Sequence, residues 1–441
     1  MTPPQPSRAT RLERFFAEPG GDYRTASQVD RDRLLYSSSF SRLAEVTQVV
    51  SADKGYVFHN RLTHTLKVAQ LARRLSEKIM QQQPEEVRSL GGLDPDVAEA
   101  AALAHDLGHP PFGHLAEAAL NHLCEDIGGY EGNAQSFRIV TVLAVGDGIG
   151  SPSGDSVVGL NLTRATLNGI LKYPWIHGQN PAKTNKWGAY ESERSQFTWV
   201  RESQSFPENV KGAEAEIMDW ADDITFSVHD LIDFYCAGQI PLDVLAADSD
   251  GGAEKNDFFE EVFQRCEDLA PRRHTFEDAF TGIMQYCPLN RRYVGSRDQR
   301  YQLYLYATML ISRYVNGIRL DPTGLPSGSC IEIEDGLRDE IRMLKELTWH
   351  YVILQNDLAT EQHGKRRMVE TVFGELHSAA QSRSSWNLFP PFFTEHLQNV
   401  IGDKKATTRI VADYIASMTE RELMRTFHLL TGSTPQKPSR D

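Results

Sequence analysis

The stretch that most constrains this chain runs over residues 104–117 and reads AHDLGHPPFGHLAE. It places three histidines and an aspartate within ten residues, on both sides of a Gly/Pro-rich break. Upstream, Asp94-Pro95 is typical of a helix start, and the mostly apolar residues after it predict a buried helix. Gly108 and the proline pair end that helix, and a second helix is predicted from about His114.

The dipeptide His105-Asp106 lies at the last turn of the first of these helices. An ionised aspartate buried there costs several kcal/mol unless it is paired or binds a metal ion. A simple hydrogen bond between the two side chains is the alternative. The additional histidines and the broken helix favour a functional site over that alternative.

Composition limits the classes of function. The chain has 441 residues, with 46 Lys and Arg against 60 Asp and Glu, a net charge of -14. That balance argues against a broad nucleic-acid or anionic-membrane surface, but it permits a local cationic pocket for an anionic substrate. Five scattered cysteines without C-x-x-C spacing indicate reduced thiols and a cytoplasmic protein. We find no signal peptide and no apolar run of about 18 residues, so no membrane association is expected.

Helical periodicity dominates the chain, so the predicted fold class is all-α with a small β-hairpin in the C-terminal half. The hairpin strands are predicted at 314–320 and 329–334, and a short helical piece is predicted at 12–16. Residues 176–210 are polar and aperiodic, which is typical of a lid or a disordered insertion. The predicted divisions are a mobile N-terminal segment 1–28, a core 29–240 with its polar insertion at 176–210, a mostly helical region 241–432 and a disordered tail 433–441.

Two further helices carry candidate site residues. An amphipathic helix begins near Leu62, and His64 lies in its first turn on the apolar side, where a satisfied core histidine is the alternative interpretation. A strong helix over 214–235 carries Asp222, Phe226 and Asp230 at i, i+4 and i+8, so these three share one face. Solvated carboxylates are the alternative there.

These residue types fit phosphoester hydrolysis. His64, His105, Asp106 and an Asp of the later helix can converge on a divalent ion, and two imidazoles with two carboxylates suit a transition metal or Mn better than Mg. A bound ion lowers the pKa of its water and polarises a phosphoryl oxygen. His114 and Glu117, at i and i+3, can hydrogen-bond, and the carboxylate is expected to raise the pKa of the ring and keep it protonated as a proton donor.

On these residues the chain resembles the HD-domain metal-dependent phosphohydrolases, and more narrowly the deoxynucleoside triphosphate triphosphohydrolases of the dGTPase family. The resemblance extends over most of the chain, and its most specific parts are the decapeptide 105–114 and the run EGNAQ at 131–135. It implies an all-helical globule with the HD motif at its centre, usually a tetramer or hexamer. The other matching segments are 31–33, 40–43, 61–65, 171–175, 219–230 and 413–419.

The resemblance also implies roles by motif position. Within the Asp-Asp pair of the later helix, the first member is the ligand, and Asp219 is not. The implied metal ligands are His64, His105, Asp106 and Asp222. The implied catalytic residues are His114 with Glu117, and His109 beside the α-phosphate.

The implied substrate contacts come from several segments. Gln48 and Asp230 match positions that hold the deoxyribose, including its 3′-hydroxyl. Arg61 and Lys172 match phosphate contacts, and Tyr173 lines the same pocket. Phe226 departs from the family pattern, which has a tyrosine four residues after the metal Asp; the ring is kept but the hydroxyl donor is lost. This departure bears on affinity or selectivity for the deoxynucleotide and not on the hydrolytic centre.

The activity that the resemblance implies is hydrolysis of dNTPs, with dGTP as the candidate preferred substrate, to deoxynucleoside and inorganic triphosphate. The implied cofactor is a divalent ion: Mn, Mg, or a transition metal such as Fe, Co or Ni. The expected partners are the substrate and further copies of the chain, with an allosteric nucleotide or single-stranded DNA as open candidates. The alternatives are an HD-superfamily phosphohydrolase of another nucleotide, such as guanosine tetraphosphate or a 5′-nucleotide, and a nucleotide-binding regulator with weak turnover.

Overall fold

Helices form nearly all of the regular structure in the described residues, which in this computed structural model are 8–18, 21–48, 60–145, 159–202, 209–247, 252–354 and 356–433. The helices of the first half are α1 (Arg8–Arg11), α2 (Ala26–Tyr36), α3 (Ser38–Arg42), α4 (Arg61–Gln82), α5 (Pro84–Ser89), α6 (Pro95–Ala104), α7 (His114–Leu123), α8 (Gly132–Arg138), α9 (Arg164–Ile170), α10 (Arg194–Glu202) and α11 (Ala213–Cys236). The helices of the second half are α12 (Leu242–Ala247), α13 (Ala253–Arg265), α14 (Arg273–Met284), α15 (Arg297–Asn316), α16 (Leu337–Thr348), α17 (Asn356–Ala380), α18 (Pro391–Asn399), α19 (Lys404–Ser417) and α20 (Glu420–Thr431). The predicted all-α fold class is confirmed.

The β-hairpin is shorter than predicted. Strand β1 (Ile318–Leu320) pairs antiparallel with β2 (Ile331–Ile333), and Ile318 lies opposite Ile333. Residues 314–316, predicted as strand, belong instead to α15. The reason is packing, because the buried ring of Tyr314 contacts Trp220 of α11 edge to face.

The centre of the fold is the packing of α4, α6 and α11 on one another. The side chain of Asn60 caps α4, and that of Asp94 caps α6 with Pro95 in the first turn, as predicted for the second of these helices. Helix α6 is buried over almost its whole length and consists largely of alanine. Small side chains let its neighbours approach closely: a Cβ at Gly169 of α9 would lie only 2.9 Å from the Cβ of Ala101.

Buried apolar side chains form two large clusters, and the turn between α6 and α7 crosses from one to the other. Leu107 packs in the first cluster and Phe112 in the second. The first cluster includes Leu34, Leu75, Leu103, Ile224, Phe280 and Leu344. The second joins α7 to α17, α19 and α20 and includes Ala116, Leu120, Val372, Ile415 and Leu423.

The N-terminal segment differs from the prediction. The short helix lies at Arg8–Arg11 and not at 12–16. Arg14 instead forms an isolated bridge with Thr163, and its guanidinium donates to Asp30 and to the Asn161 carbonyl, each at 2.6 Å. These contacts override the helical pattern of the short segment.

Within the predicted polar insertion, the structure forms helix α10, whose Phe197 and Val200 are buried. Parts of every predicted segment lie outside the described residues: 1–7 and 19–20 of the N-terminal segment, 49–59, 146–158 and 203–208 of the core with its insertion, 248–251 and 355 of the C-terminal region, and 434–441 of the tail. The division of the chain into domains therefore stays a prediction. None of the helices in the described parts has the length and apolar character needed to cross a membrane.

A buried ion-pair network joins the two clusters at α8 and α19. The Arg138 guanidinium donates to the Asp413 carboxylate at 2.7 Å and to Glu193 at 2.5 Å, and the Gln135 side-chain amide donates to Asp413 at 2.9 Å. All four residues are buried. Removing one partner of such a pair leaves an uncompensated buried charge.

We therefore expect Asp413→Ala to lower the free energy of unfolding by about 3–5 kcal/mol. The control is Asp403→Ala, which removes the exposed side-chain cap of the same helix and should cost only about 1 kcal/mol. Urea denaturation of both variants measures the difference. Equal losses would show that the buried network does not join the clusters as described.

Candidate active site

The turn from His105 to Gly113 carries the centre of the site. Its backbone is held by Ser136 of α8, whose hydroxyl donates to the His105 carbonyl and accepts from the Gly108 amide, both at 2.9 Å. The turn ends with left-handed backbone at Phe112 (φ 68°) and Gly113 (φ 60°). This reversal directs the chain into α7, so that His114 follows the turn at once.

One group of side chains has the arrangement of a metal site. His64 Nε2 lies 3.0 Å and His105 Nε2 lies 3.7 Å from Asp222 Oδ1, and donor atoms of the three residues lie within 4.8 Å of one another. His105 Nδ1 donates to the Ala102 carbonyl at 2.6 Å, whereas its Nε2 is buried without a hydrogen-bond partner among the described residues. A metal-binding imidazole requires this arrangement, in which one ring nitrogen donates a hydrogen bond to the backbone and the other nitrogen is available to bind the metal ion.

Asp106, the fourth predicted ligand, lies at the edge of this group. Its Oδ1 is 3.5 Å from His105 Nε2 and 3.0 Å from His109 Nδ1, and its Oδ2 accepts from the Arg61 guanidinium at 2.7 Å. Burial alone would raise the pKa of Asp106, but the positive charges of Arg61 and the imidazoles hold this pKa well below its usual value.

The electrostatic field of the group favours a cation. Burial lowers the pKa of His105, but the Asp106 and Asp222 carboxylates outweigh burial and raise this pKa to about 9. At His64 burial prevails, and the pKa is lowered. Because a negative field that holds a proton also holds a metal ion, the donor set fits a divalent ion with nitrogen and oxygen ligands.

The structure distinguishes the carboxylates of α11. Lys172 Nζ lies 2.8 Å from Asp219 Oδ1 and 2.9 Å from Asp222 Oδ2. Asp219 also pairs with Lys211, so two lysines neutralise it. Asp222 keeps its Oδ1 beside the imidazoles, and Asp223 pairs with Lys345 at 2.5 Å. This geometry supports Asp222, and not Asp219, as the predicted ligand.

A second group lies at the start of α7. The rings of His109 and His114 have centroids 5.1 Å apart, and His109 Nε2 is 3.6 Å from Glu117 Oε2. Glu117 Oε1 accepts from Lys186 at 3.1 Å. The predicted pKa direction for His114 is wrong: desolvation, with the charges of His109 and Arg61, lowers the pKa of His114 to about 4, even though the residue is exposed to solvent. The Glu117 carboxylate does not reverse this shift, because its negative charge also interacts with His109 and Lys186.

Lys186 is a residue of the site that the sequence analysis missed. It lies in the segment treated as a polar insertion, and besides Glu117 it contacts Glu131 Oε1 at 2.9 Å. Glu131 is buried and caps α8 by accepting from two backbone amides. A single lysine in an aperiodic segment gives no pattern from which this position could be predicted.

The predicted substrate residues lie around the two groups. Gln48 and Asp230 are buried, Asp230 two turns beyond Asp222 on α11. Phe226 is half-buried between these two aspartates, and Tyr173 lies with its ring centroid 5.6 Å from that of Trp175. Their contacts with a ligand stay predictions.

Arg61 has a distinctive environment. It is 1% exposed, and its Nε and Nη2 have no hydrogen-bond partner among the described residues. Among the described residues its guanidinium donates to Asp106 alone, so it keeps donors available inside the site. Such donors match an anionic oxygen of a ligand.

A helical fold with a His/Asp group of this kind defines the class of HD-domain phosphohydrolases, which bind divalent metal ions. Comparison with protein families agrees: an HD domain matches residues 61–138, and a phosphohydrolase-associated domain matches residues 331–429.

Curated proteins identify the family within this class. The chain is 35% identical to the deoxyguanosinetriphosphate triphosphohydrolase-like protein of Streptomyces coelicolor over 98% of both chains. It is 34% identical to the protein of the same name from Corynebacterium efficiens, over 92% of this chain and 91% of the relative. A Bifidobacterium longum protein of that name is 41% identical over 53% of this chain and 47% of its own length. The chain therefore belongs to the deoxyguanosinetriphosphate triphosphohydrolase-like family.

The contrast between two carboxylates of α11 can be tested directly. We expect Asp222→Ala to lose most of its bound metal, because it removes the oxygen that lies 3.0 Å from His64 Nε2 and 3.7 Å from His105 Nε2. Asp219→Ala should retain the metal, because its carboxylate is already paired with two lysines. Metal content after purification, measured by mass spectrometry for both variants, decides the point. Retention in the first variant and loss in the second would refute the assignment.

Proposed function

We propose that this chain hydrolyses deoxynucleoside triphosphates, with dGTP as the first candidate, to deoxynucleoside and inorganic triphosphate. The observation that carries the proposal is that one turn joins two groups, the His64/His105/Asp222 group and the His109/His114/Glu117 group, because Asp106 Oδ1 lies beside both His105 and His109. Hydrolysis of a phosphoester needs stabilisation of charge on phosphorus and a proton for the leaving oxygen. The two groups supply these two requirements, and the names of the relatives point to the same substrate class.

The residues proposed to hold the metal are His64, His105, Asp106 and Asp222. When bound, a divalent ion polarises a phosphoryl oxygen and lowers the pKa of water. The mixed nitrogen and oxygen donors favour Mn or a transition metal such as Fe, Co or Ni over Mg.

Three cations are proposed to bind the triphosphate. Arg61 directs buried donors into the site, and Lys172 and Lys186 lie at the His64/His105/Asp222 and His109/His114/Glu117 groups respectively. They supply local positive charge in a chain whose net charge is -14. Tyr173, next to Lys172, lines the same part of the pocket in this proposal.

The sugar is proposed to bind along the deeper face of α11. Gln48 and Asp230 are buried polar side chains. The Asp230 carboxylate can accept a hydrogen bond from a sugar hydroxyl, and the Gln48 amide can accept or donate one. Phe226 offers an apolar ring in the same helix face. Without a hydroxyl at this position, its contribution is packing alone.

His114 is proposed to donate the proton. Water attacks the α-phosphorus, the bond from this phosphorus to the 5′-oxygen breaks, and the 5′-oxygen takes a proton from the ring. With a pKa of about 4 the ring is neutral near pH 7 in the ligand-free chain. The negative charge of a bound triphosphate raises the pKa of a neighbouring imidazole, so substrate binding itself would favour protonation of His114. His109, between Asp106 and Glu117, is proposed to lie beside the α-phosphate.

Assembly into a tetramer or hexamer is proposed from the family resemblance. An allosteric nucleotide or single-stranded DNA is retained as a candidate regulator from the same source. No residue is assigned to either role.

The reaction is tested by a substrate panel. The purified chain, incubated with each dNTP and with Mn or Mg, should release deoxynucleoside and inorganic triphosphate, which chromatography separates from diphosphate and monophosphate products. Guanosine tetraphosphate and 5′-nucleotides serve as the competing substrates. Release of diphosphate from a dNTP, or turnover of the competing substrates alone, would reject the proposal.

The proton donor is tested on α7. We expect His114→Ala to keep its fold and metal while kcat falls by roughly 10²-fold or more. Glu117→Gln should show a smaller fall. His122→Ala is the control, because His122 lies exposed at the other end of the same helix. Near-normal turnover in a metal-loaded His114→Ala enzyme would exclude His114 as the acid and leave His109 or a water molecule.

A further inference from the structure

Glu420, the first residue of α20, bonds to two backbone amides in distant parts of the chain. Its Oε1 accepts from the Thr47 amide at 2.8 Å and from the Phe112 amide at 3.3 Å. The two donors are 373 and 308 residues away in sequence, so these are tertiary contacts and not capping bonds of α20. The α20 capping box is formed by other residues, Thr419 and Glu422.

Both amides adjoin residues of the proposed reaction. Thr47 precedes Gln48, proposed to bind the sugar, and Phe112 lies two residues before His114, proposed to donate the proton. Phe112 has left-handed backbone, φ 68°. Such a conformation is strained in a residue other than glycine, and it persists only where surrounding contacts determine it. The bond from Phe112 to Glu420 is one such contact.

The same C-terminal segment is also connected, through Arg42, to the beginning of the turn. The buried Arg42 guanidinium donates to the carbonyls of Leu107 at 2.7 Å, His109 at 2.8 Å and Met418 at 3.2 Å. Met418 lies two residues before Glu420. One short stretch of the phosphohydrolase-associated region is therefore bonded to the end of the turn directly, through Glu420, and to its beginning indirectly, through Arg42.

We propose that Glu420 is a positioning residue that fixes His114 and Gln48 relative to each other across the substrate site. The assignment rests on the proposed function, since it serves that reaction. Both hydrogen bonds need only an acceptor oxygen at residue 420. A glutamine keeps this oxygen and should therefore keep the positioning role of the glutamate. The proposed metal ligands lie on α4 and α11 and on the first residues of the turn, so metal binding should not depend on Glu420.

Four variants separate positioning from stability. Glu420→Ala removes the acceptor, and Glu420→Gln keeps it. Glu420→Asp keeps the charge at the helix N-terminus but is one methylene shorter, and it replaces the alanine variant if that variant does not fold. The control is Glu422→Ala, which removes an equal charge from the same helical turn; the Glu422 carboxylate accepts from the Thr419 amide and not from the turn at 105–113.

We expect Glu420→Ala to lower kcat for dGTP about tenfold or more, because small displacements of a catalytic group are costly. Metal content should be unchanged, Glu420→Gln should turn over nearly as the wild type does, and Glu422→Ala should affect thermal stability more than kcat. Equal losses of kcat in Glu420→Ala and Glu422→Ala would overturn the proposal, as would a glutamine variant as slow as the alanine variant.

A second measurement does not require activity. Hydrogen–deuterium exchange of the peptides covering residues 43–48 and 107–113 should be faster in Glu420→Ala than in Glu422→Ala. Unchanged exchange in both peptides would overturn the positioning role. A wild-type chain that hydrolyses no dNTP would reject the proposed function instead, and the exchange comparison would still decide whether Glu420 holds the turn.

Discussion

The buried ion pair between Arg61 and Asp106 is the interaction on which the rest of the site depends. Neither residue is more than 4% exposed, and removing such charges from water costs several kcal/mol for each ion. The pair connects the first residue of α4 to the turn after α6, and the same Asp106 carboxylate lies beside His105 and His109. The two groups of the site are therefore joined through one carboxylate.

The buried environment of Arg61 also lowers the free energy of unfolding of the chain. Two of its nitrogen atoms are buried without a hydrogen-bond partner among the described residues, and each unsatisfied buried donor costs about 1–3 kcal/mol. His105 Nε2 is in the same situation. Unsatisfied groups concentrated at one place are expected where a ligand, and not the chain itself, supplies the missing partners. The left-handed backbone of Phe112 adds strain at the same turn.

Local sequence signals predicted the elements that carry the first group. The Asp94-Pro95 start, the apolar helix after it and the Gly/Pro break place His105 and Asp106 at the end of a buried helix, because caps and breakers act within a few residues. The structure ends α6 at Ala104, earlier than predicted, so that the pair follows the helix directly instead of forming its last turn. Helical periodicity put Asp222 and Asp230 on one face of α11 for the same reason. What periodicity could not provide is which carboxylate is neutralised by lysines from elsewhere. That distinction between Asp219 and Asp222 was implied by the resemblance, and in the structure it depends on Lys172 and Lys211.

The features that sequence reasoning missed all depend on long-range contacts. Lys186 pairs with Glu117 across 69 residues, and this pairing is one reason why the raising effect of Glu117 on the pKa of His114 is outweighed. Tyr314 continues α15 because it packs on Trp220, which shortens the predicted strand. Glu420 looks in sequence like an ordinary acidic residue at a helix start, where charge complements the helix dipole. Its contacts with Thr47 and Phe112 appear only when the two clusters are assembled.

The cations of the site are each paired with a carboxylate in the ligand-free chain, which changes how variants must be interpreted. Replacing Arg61 would leave Asp106 buried and unpaired, so a loss of activity would report a damaged turn as much as a lost phosphate contact. Replacing Lys172 would leave Asp219 with Lys211 but would expose Asp222 to an altered field at the metal group. Lys186 differs because its side chain is 37% exposed and lies on a separate segment. Its carboxylate partners Glu117 and Glu131 are nevertheless buried, as Asp106 is. A Lys186 variant would therefore also leave buried carboxylates unpaired, and its activity would report this damage together with the weaker attraction of the site for an anionic substrate.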